Sequence, residues 1–462
     1  MNELELLARL LWLRRQLRQR DRWSRERLLA EQAEALRRLR VWAAGRSRFY
    51  REFHDGLVER PFAELPVLTK SLAMEHFDAL VTDPAIRLAD VEAYVAAGRG
   101  DRPFRDRYRV TVTSGSTGRH GYFLFDVAEW AAVIASFGRG ADWARAGAGV
   151  MARRRVAAVS TTSPWHMSSR VAATLPRRFL PALRLDAADP LESIVERLNG
   201  WRPDLLVTYA SVANLLAEEQ SAGRLRIAPR AITTSSEVLT DEMRRRVVAA
   251  WGERLFDQYG ATECAGIASE CETHRGLHLY EDLVIAEVVD GEYRPVPPGV
   301  FGEKVLVTVL FSRTQPLIRY ELSDSVRLAT WACPCGRPYA LIDRVQGRAE
   351  ETLRFPRSAG VGGSSTGAGA SAEVAVHPVV FHALIDTVPA TAWQLVQGSD
   401  GLRVSLVGVP DGYADSTLVE ALRRELSSRG AFVPPIAVER VAAIDRGPGG
   451  KAPLIRSTIR RS

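Results

Sequence analysis

A run of five small residues directly follows two apolar residues that alternate with polar ones, Val110 and Val112. The alternation predicts a β-strand, and the run after it predicts a loop. Small residues leave backbone N–H groups uncovered and the hydroxyls add further donors, which is how a chain can cradle a phosphate. A flexible turn explains the run equally well by itself. Its members are Ser114, Gly115, Ser116, Thr117 and Gly118.

Three more clusters of polar residues follow segments rich in strand-forming residues. They comprise Ser235, Ser236 and Glu237; Tyr259, Gly260, Thr262 and Glu263; and Arg319, Tyr320 and Asp324. Arg348 and Lys451 come later in the chain. Only three of the 62 basic residues are lysines, at positions 70, 304 and 451. Because an ammonium and a guanidinium do not substitute freely at a crowded site, each lysine is a functional candidate.

The cysteines form another group. All four lie between Cys264 and Cys335, and the Cys333-Pro334-Cys335 turn is too tight for an easy disulfide. Thiolates and imidazoles in this number suit a four-coordinate structural Zn²⁺. The predicted ligands are Cys271, Cys333 and Cys335 with His278 as the fourth, His274 being the rival for that place and Cys264 a buried small residue.

The elements that must position these residues are predicted from periodicity. Residues 1–60 have helical spacing, and segments 155–256 alternate between strand and helix patterns, which indicates βαβ units in a parallel or mixed sheet. Residues 283–328 are rich in strands, and a low-complexity stretch follows at 356–372. Ligands of such sheets bind beyond the carboxyl ends of the strands, where the polar groups fall.

The fold class is therefore α/β. We predict a large N-terminal domain, residues 1–346, with mixed, largely parallel sheets, helices and a small β-rich part. A small α+β C-terminal domain, residues 347–462, follows. The chain has 462 residues, which is long for one simple core.

Composition excludes some classes of protein. Hydrophobic content is 46% and charged content 25%, as in soluble globular proteins. No apolar run approaches the roughly 18 residues of a membrane span, and the charged N-terminus is not typical of a signal peptide. We expect a cytoplasmic enzyme without membrane or nucleic-acid partners. The sequence leaves open whether the protein forms a homodimer. The net charge of +7 lies largely in an amphipathic, arginine-rich N-terminal segment.

Taken in order, these motifs resemble those of the adenylate-forming ligases, the superfamily of acyl-CoA synthetases and adenylation domains. The resemblance extends from about Leu65 to Lys451 and is closest to the phenylacetate–CoA ligase-like branch. It implies that ATP converts a carboxylic acid into an acyl adenylate, with CoA as the co-substrate. It also implies a C-terminal domain that rotates between the two half-reactions, and part of this branch carries a zinc site like the one predicted here.

The resemblance also implies a role for each residue. The loop Ser114–Gly118 would hold the β- and γ-phosphates, Glu263 would bind Mg²⁺ and Thr262 would donate to the α-phosphate. Lys451 would bridge the substrate carboxylate and the α-phosphate. The other nucleotide contacts would be Ser236, Glu237, Tyr259, Gly260, Asp324 and Arg348.

The substrate pocket implied by the resemblance contains Trp165, His166 and Tyr209, which suit a small aromatic acid. The sequence departs from the family pattern where Arg119-His120 follow the phosphate loop and where Glu321-Leu322-Ser323 precede Asp324. These departures are compatible with ATP binding and put the nature of the second half-reaction in more doubt. The predicted function is an AMP-forming acid–CoA ligase; the alternative acceptors are an amine, a carrier-protein thiol or another small nucleophile. A nucleic-acid-binding protein built on an inactive ligase fold is the contrasting hypothesis.

Overall fold

The structure is a computed structural model. It describes residues 3–57, 60–98, 100, 102–113, 120–146, 154–174, 181–348, 353–358, 373–376, 378–385, 387–390, 392–445 and 453–459.

The chain begins with helices, as its periodicity predicts. Ser24 caps the second helix by accepting from the Arg27 N–H, and Thr69 caps the fourth in the same way. The described helices before the first strand are α1 (Glu3–Arg20), α2 (Arg25–Arg46), α3 (Arg48–Phe53), α4 (Lys70–Glu75), α5 (Phe77–Leu80) and α6 (Leu88–Ala96).

A short hairpin and five helices follow. The hairpin consists of β1 (Arg109–Val112) and β2 (Tyr122–Phe125), which pair antiparallel on either side of the predicted phosphate loop. Asp126 and Glu129 form a capping box at the start of the next helix, since each side chain accepts from the other residue's backbone N–H. The helices are α7 (Val127–Trp143), α8 (Met167–Thr174), α9 (Leu191–Trp201), α10 (Ala210–Ser221) and α11 (Asp241–Trp251).

The central feature is a mixed sheet of nine strands. Its strands in chain order are β3 (Val156–Ser160), β4 (Ala182–Asp186), β5 (Leu205–Thr208), β6 (Ala231–Ser235), β7 (Leu255–Ala261), β8 (Ala265–Glu270) and β9 (Leu277–Leu279). To these the chain adds β13 (Asp324–Leu328) and β14 (Leu341–Arg348).

The spatial order is β13-β14-β9-β8-β7-β6-β5-β3-β4. The strands from β4 to β7 pair in parallel, which confirms the βαβ alternation predicted from the sequence. The pairs from β7 to β13 are antiparallel. As a result, the loops after β5, β6 and β7 meet at one edge.

The strand-rich segment forms a second, smaller sheet. It contains β10 (Val284–Val289), β11 (Lys304–Val309) and β12 (Tyr320–Leu322), paired antiparallel. Arg319, just before β12, has a left-handed φ of 50° and is buried. Its guanidinium donates to Glu287 and to the carbonyls of Ala63 and Leu65. The residue therefore ties the N-terminal segment to this sheet.

The C-terminal residues have a core of their own, which includes Phe355, Phe381, Val404 and Leu422. The boundary predicted at 346/347 and the mobility of this part remain predictions. The elements here are β15 (Leu353–Pro356), β16 (Glu373–Val376), α12 (Pro378–Ile385), β17 (Ala392–Gly398), β18 (Gly401–Val407), α13 (Asp415–Ser428), β19 (Ile436–Arg440) and β20 (Ile455–Ser457).

The N-terminal helices are fixed to the body through a buried arginine on α7. Arg139 donates to Asp282 at 2.6 Å and to Asp21 at 2.8 Å, and its guanidinium lies against Trp143 and Tyr339. Among the described residues, no helix has the length and apolar character that crossing a bilayer requires.

Candidate active site and metal centre

One cavity of about 1250 Å³ opens at the carboxyl ends of β5, β6 and β7. Its walls bring together residues that lie far apart in the sequence, because the parallel strands end at the same edge. The predicted residues that line it are His166, Tyr209, Ser236, Glu237, Tyr259, Gly260, Thr262, Glu263 and Asp324.

The end of β7 and the loop between β7 and β8 bring four of the predicted nucleotide residues to the cavity. The Tyr259 hydroxyl donates to Asp324 Oδ2 at 2.8 Å, which joins the end of β7 to the start of β13. A Cβ at Gly260 would lie 2.6 Å from the Ala265 carbonyl oxygen, so this position accepts only glycine without a backbone shift. The tight pairing holds Thr262 and Glu263 at the cavity wall.

Cys264, directly after Glu263, is 1% exposed, as expected of a buried small residue. Burial raises the pKa of its thiol well above the usual value, and the charges of Glu263 and Asp324 act in the same direction. The thiol is therefore neutral. Cys264 lies outside the group of four side chains that could hold a metal ion.

The loop after β6 carries Ser236 and Glu237. Ser236 has a left-handed φ of 69°, and a Glu237 carboxylate oxygen accepts from the Ser211 N–H at 2.9 Å. Ser211 lies in the first turn of α10, whose unpaired N–H groups favour a negative charge. The contact fixes the β6 loop against the end of the neighbouring βα unit.

The three predicted substrate-pocket residues have different surroundings. Tyr209 is buried and its hydroxyl accepts from the Thr161 N–H at 3.0 Å; burial raises its pKa to about 12. His166 lines the cavity with it. Trp165 is not among the lining residues: its ring lies 5.4 Å from that of Tyr94 and under the Arg170 guanidinium.

The predicted phosphate loop, Ser114–Gly118, lies outside the described residues, but its two ends are described. Thr113 N–H donates to the Gly121 carbonyl at 3.0 Å, and Gly121 N–H donates to the Thr113 hydroxyl at 2.8 Å. The chain therefore leaves and re-enters the β1–β2 hairpin at adjacent points. Lys451 also lies outside the described residues, and Arg348 is described as the last residue of β14, its Cα opposite that of Asp324.

Lys70 is a cavity residue to which the sequence assigned no role. It begins α4 and lines the cavity together with Thr69 and Met74. A Cβ built on Gly121 would be 3.1 Å from Lys70 Cε, so the lysine stem passes beside the end of the phosphate loop. The rarity of lysine made Lys70 a functional candidate in the sequence, without indicating which site it would join.

The sequence analysis did not identify a buried pair of acidic residues in the cavity wall, Asp257 and Glu270. Asp257 N–H donates to Glu270 at 3.0 Å, the Thr234 hydroxyl donates to Asp257 at 2.8 Å, and Arg244 pairs with Glu270 at 2.6 Å. Burial, and then the charge of Glu270, raise the pKa of Asp257 to about 7. No pattern in the sequence distinguishes Asp257, because its environment is created by β7 and β8 pairing.

The four predicted zinc ligands form a compact cluster. Cys271, His278, Cys333 and Cys335 place their sulfur and nitrogen atoms within 4.8 Å of one another. The Cys271–Cys333 sulfurs are 3.7 Å apart, and His278 Nε2 is 3.4 Å from Cys271 Sγ and 3.3 Å from Cys335 Sγ. Tetrahedral Zn–S bonds of about 2.3 Å imply S···S separations of about 3.8 Å. The donor set and its spacing therefore fit Zn²⁺.

The surroundings prepare the cluster for a cation. Burial lowers the pKa of His278 to about 4, so its imidazole is neutral, as a ligand must be. Burial raises the pKa of Cys271 to about 12. It acts in the same sense on Cys333, but hydrogen bonds, first of all with the Thr273 hydroxyl, lower the pKa of that thiol below its usual value. A bound cation would remove the proton from each thiol.

His274, the rival fourth ligand, lies elsewhere. Its ring is 4.6 Å from that of Phe256, and Nδ1 faces Glu270 at 3.5 Å. The structure thus groups His278, not His274, with the three cysteines. Thr273, which the sequence analysis did not identify, lies within 3.2 Å of the Cys271 sulfur and 3.0 Å of the Cys333 sulfur.

Comparison with known proteins gives both a sequence relative and a fold. No protein-family model matches the chain. A phenylacetate-coenzyme A ligase of Thermus thermophilus is 28% identical over 344 residues, 71% of this chain and 72% of that relative. Protein CapK of Staphylococcus aureus is 27% identical over 142 residues, 30% of this chain and 29% of its own.

Solved structures of 2-hydroxyisobutyryl-CoA ligase share the fold. The enzyme in its postadenylation state, in complex with R3-HIB-AMP, aligns with a TM-score of 0.68 at 19% identity and covers 96% of this chain and 92% of its own. In the thioesterification state, with 2-HIB-AMP and CoA, the TM-score is 0.57 at the same identity and coverage.

The chain shares the fold of these solved ligase structures. Over 71% of its length its sequence is similar to that of a phenylacetate-coenzyme A ligase. The resemblance predicted from the sequence motifs, and the predicted fold class, are confirmed.

Proposed function

We propose that this protein is an ATP-dependent, AMP-forming ligase that activates a small aromatic carboxylic acid and transfers the acyl group to CoA. The supporting observation is that Glu237, after β6, Tyr259 and Glu263, at the end of β7 and just after it, and Asp324, at the start of β13, line one cavity. Each has a polar or charged group of the kind that nucleotide recognition requires. The phenylacetate-coenzyme A ligase relative supports the same acid and acceptor classes.

The first half-reaction forms a P–O bond and breaks another. A carboxylate oxygen of the acid attacks the α-phosphorus of ATP, and pyrophosphate leaves with the electrons of the α–β bridge. We infer that Asp324, held by the Tyr259 hydroxyl, accepts from the ribose hydroxyls, since a carboxylate offers two acceptor oxygens. Thr262 donates to the α-phosphate, and Lys451 stabilises the charge that develops between acid and phosphate.

Mg²⁺ would be bound by Glu263, whose carboxylate oxygens are ligands that this hard cation prefers, and would neutralise phosphate charge. In the second half-reaction the CoA sulfur attacks the acyl carbon, AMP leaves, and the thiol proton is released. The Cys271–His278–Cys333–Cys335 cluster would hold Zn²⁺ as a closed structural site, because all four positions of the ion are filled by protein.

An aromatic acid is supported by the apolar side of the cavity. Phe137, His166 and Tyr209 provide rings there, and Met74 and Met167 provide polarizable thioethers. Of the three lining arginines, Arg244 and Arg344 are paired with Glu270 and Asp241, and Arg275 lies beside Trp331. A compact mono-acid with a planar ring therefore suits this surface better than a polyanion.

The test is pyrophosphate release by the wild-type protein across a panel of aryl and short acyl acids, with and without CoA. We expect release with an aryl acid, and thioester, detected by mass, only when CoA is present. Acyl transfer to an amine or a carrier-protein thiol in place of CoA would identify one of the alternative acceptors. The absence of pyrophosphate release with every acid would exclude the proposed activity.

A further inference from the structure

The cavity extends beyond the space that the proposed nucleotide and a small acid require. Its volume of about 1250 Å³ exceeds the roughly 300–1,000 Å³ of typical small-molecule sites. One wall is formed by two segments that also carry the metal-ligand side chains. We call these segments, residues 271–278 and 331–336, the ligand loops. They contribute Arg275, Gly276, Trp331 and Pro334 to the lining, none of which belongs to the nucleotide motifs.

Trp331 is held in a fixed orientation at this wall. Its indole N–H donates to the Arg275 carbonyl at 3.1 Å, which joins one ligand loop to the other. The side chain is nevertheless 48% exposed, a high value for a large aromatic residue. Because the indole is held through its N–H and the face of the ring is exposed, a planar group can stack on it.

The backbone around Arg275 is also constrained. Gly276 has φ +119°, and a Cβ at that position would be 2.7 Å from the Ile342 carbonyl oxygen, so the ligand loop packs directly on β14. The ring and the neighbouring cation are thus presented by a rigid support.

Arg275 provides a cation beside the ring. Its side chain is exposed and lines the cavity. The other lining arginines, Arg244 and Arg344, have carboxylate partners, whereas Arg275 has no ion pair within the part of the chain that the structure describes. A guanidinium without a carboxylate is available for a phosphate.

We propose that Trp331 and Arg275 form a subsite for the phosphorylated adenosine of CoA, with the base on the indole and a phosphate on the guanidinium. This inference rests on the proposed function, because it assigns the acceptor's nucleotide to this wall. The shared chemistry, a purine base and a phosphate, is also that of ATP. ATP is assigned to the motif loops, where Glu237, Tyr259 and Asp324 already account for base and ribose.

The experiment compares CoA with pantetheine, which has the same thiol without the nucleotide. The variants are Trp331→Ala, Trp331→Phe and Arg275→Gln. Trp42→Ala is the matched control: Trp42 is also exposed, at 37%, and its indole N–H donates to a backbone carbonyl, that of Arg313 at 3.0 Å, but it lies on α2. Calorimetric binding of CoA in the presence of AMP is measured beside steady-state thioester formation and acid-dependent pyrophosphate exchange.

Trp331→Ala should weaken CoA binding and raise its KM about tenfold, the scale of one lost base stack. Trp331→Phe should stay within about threefold of wild type, because it keeps a ring. Arg275→Gln should weaken CoA by a similar factor and have a smaller effect on dephospho-CoA. For all three variants the KM for pantetheine and the KM for ATP in pyrophosphate exchange should be unchanged, and Trp42→Ala should behave as wild type.

Equal losses for CoA and pantetheine, a raised KM for ATP, or unchanged CoA binding in Trp331→Ala would each overturn the subsite. Failure of the proposed function gives a different pattern, since the wild-type protein would then release no pyrophosphate with any acid. CoA binding by calorimetry does not require turnover, so it decides the subsite independently. Wild-type protein that adenylates an acid but binds no CoA would exclude the subsite and leave the adenylation intact.

Discussion

At the scale of single residues, the pKa values and the positions of charged side chains in the cavity depend on contacts between segments that are distant in the sequence. Asp257 becomes an acid with a pKa of about 7 because β7 and β8 pair and place Glu270 beside it in a buried setting. Lys70 comes close to Gly121 because α4 packs against the end of the β1–β2 hairpin.

Lys70→Ala should slow adenylation by roughly 10²-fold, the scale of losing one preorganised cation at a charged transition state. Lys70→Arg should recover only part of the rate, because a planar guanidinium does not fit where a compact ammonium does. The measurement is the single-turnover rate of acyl adenylate formation at saturating ATP. An Ala variant with the wild-type rate would show that Lys70 does not act on the phosphates.

Asp257 should make the stability of the protein depend on pH. Its pKa of about 7 in the folded state is above the roughly 3.9 of an unfolded aspartate, so unfolding releases its proton between these values. The stabilisation from this group is complete below about pH 4 and is lost as the pH rises to about 7. The free energy of unfolding, wild type minus Asp257→Asn, should therefore fall by up to about 1.4 kcal/mol per pH unit in that window.

Urea unfolding at several pH values from 4.5 to 7.5 measures this difference. The asparagine keeps an oxygen that can accept from the Thr234 hydroxyl, so the variant removes the titration and retains that hydrogen bond. A difference that stays constant with pH would mean that Asp257 is ionised throughout the window.

The sequence identified the residues whose chemistry follows from type and order, such as Glu263, Asp324 and the cysteines. It could not identify Asp257 or Thr273, since their properties depend on burial and on partners from another strand or loop. Trp165 illustrates the converse: it follows a strand in the expected place, but its ring packs against Tyr94 instead of lining the cavity.

At the scale of elements, alternation of strand and helix patterns was sufficient to predict the parallel half of the large sheet. The antiparallel half was harder to predict, because β9 and β14 pair across more than sixty residues of sequence. That pairing brings the loop of Cys271 and His278 to the loop of Cys333 and Cys335. The metal cluster is consequently a property of strand order, although its ligands are evident from the sequence.

Metal content should depend on Cys333 and not on Cys264. Purified wild-type protein should contain about one Zn per chain, Cys333→Ala should lose it, and Cys264→Ala should retain it. Both thiols are buried, at 8% and 1% exposure, so the two variants remove similar side chains from similar settings. Elemental analysis together with thermal unfolding makes the comparison. Zinc retained by the Cys333 variant would contradict the assigned ligand set.

Loss of the metal should also lower the melting temperature, because a closed structural site contributes binding free energy to folding. A chelator should therefore destabilise the wild-type protein and have no effect on the melting temperature of Cys333→Ala. An equal effect on both would show that the chelator acts elsewhere.

At the scale of the whole molecule, the described C-terminal residues have a core that is separate from that of the preceding residues. Leu395, Val404 and Leu422 pack among themselves, and an Arg246 N–H donates to the Ala390 carbonyl at 2.5 Å across to α11. A part with its own core can rotate as a body, and the mobility predicted for this part remains a prediction. The sequence predicted this part from its strand and helix patterns and from the low-complexity stretch near its start, whereas its orientation depends on contacts that no local pattern encodes.

A substitution of Lys451 tests whether the C-terminal part of the chain participates in the first half-reaction only. Lys451 lies outside the described residues, directly after Gly449 and Gly450 in the sequence, and its role is the one that the sequence resemblance implies. Lys451→Ala should slow pyrophosphate release by roughly 10²–10³-fold, because a charge partner present only in the transition state is lost. Transfer from a supplied acyl adenylate to CoA should keep its rate if the C-terminal domain rotates between the half-reactions, as the sequence resemblance implies. A decrease in both rates would mean that Lys451 supports the folded structure. If neither rate changes, Lys451 has no part in the mechanism.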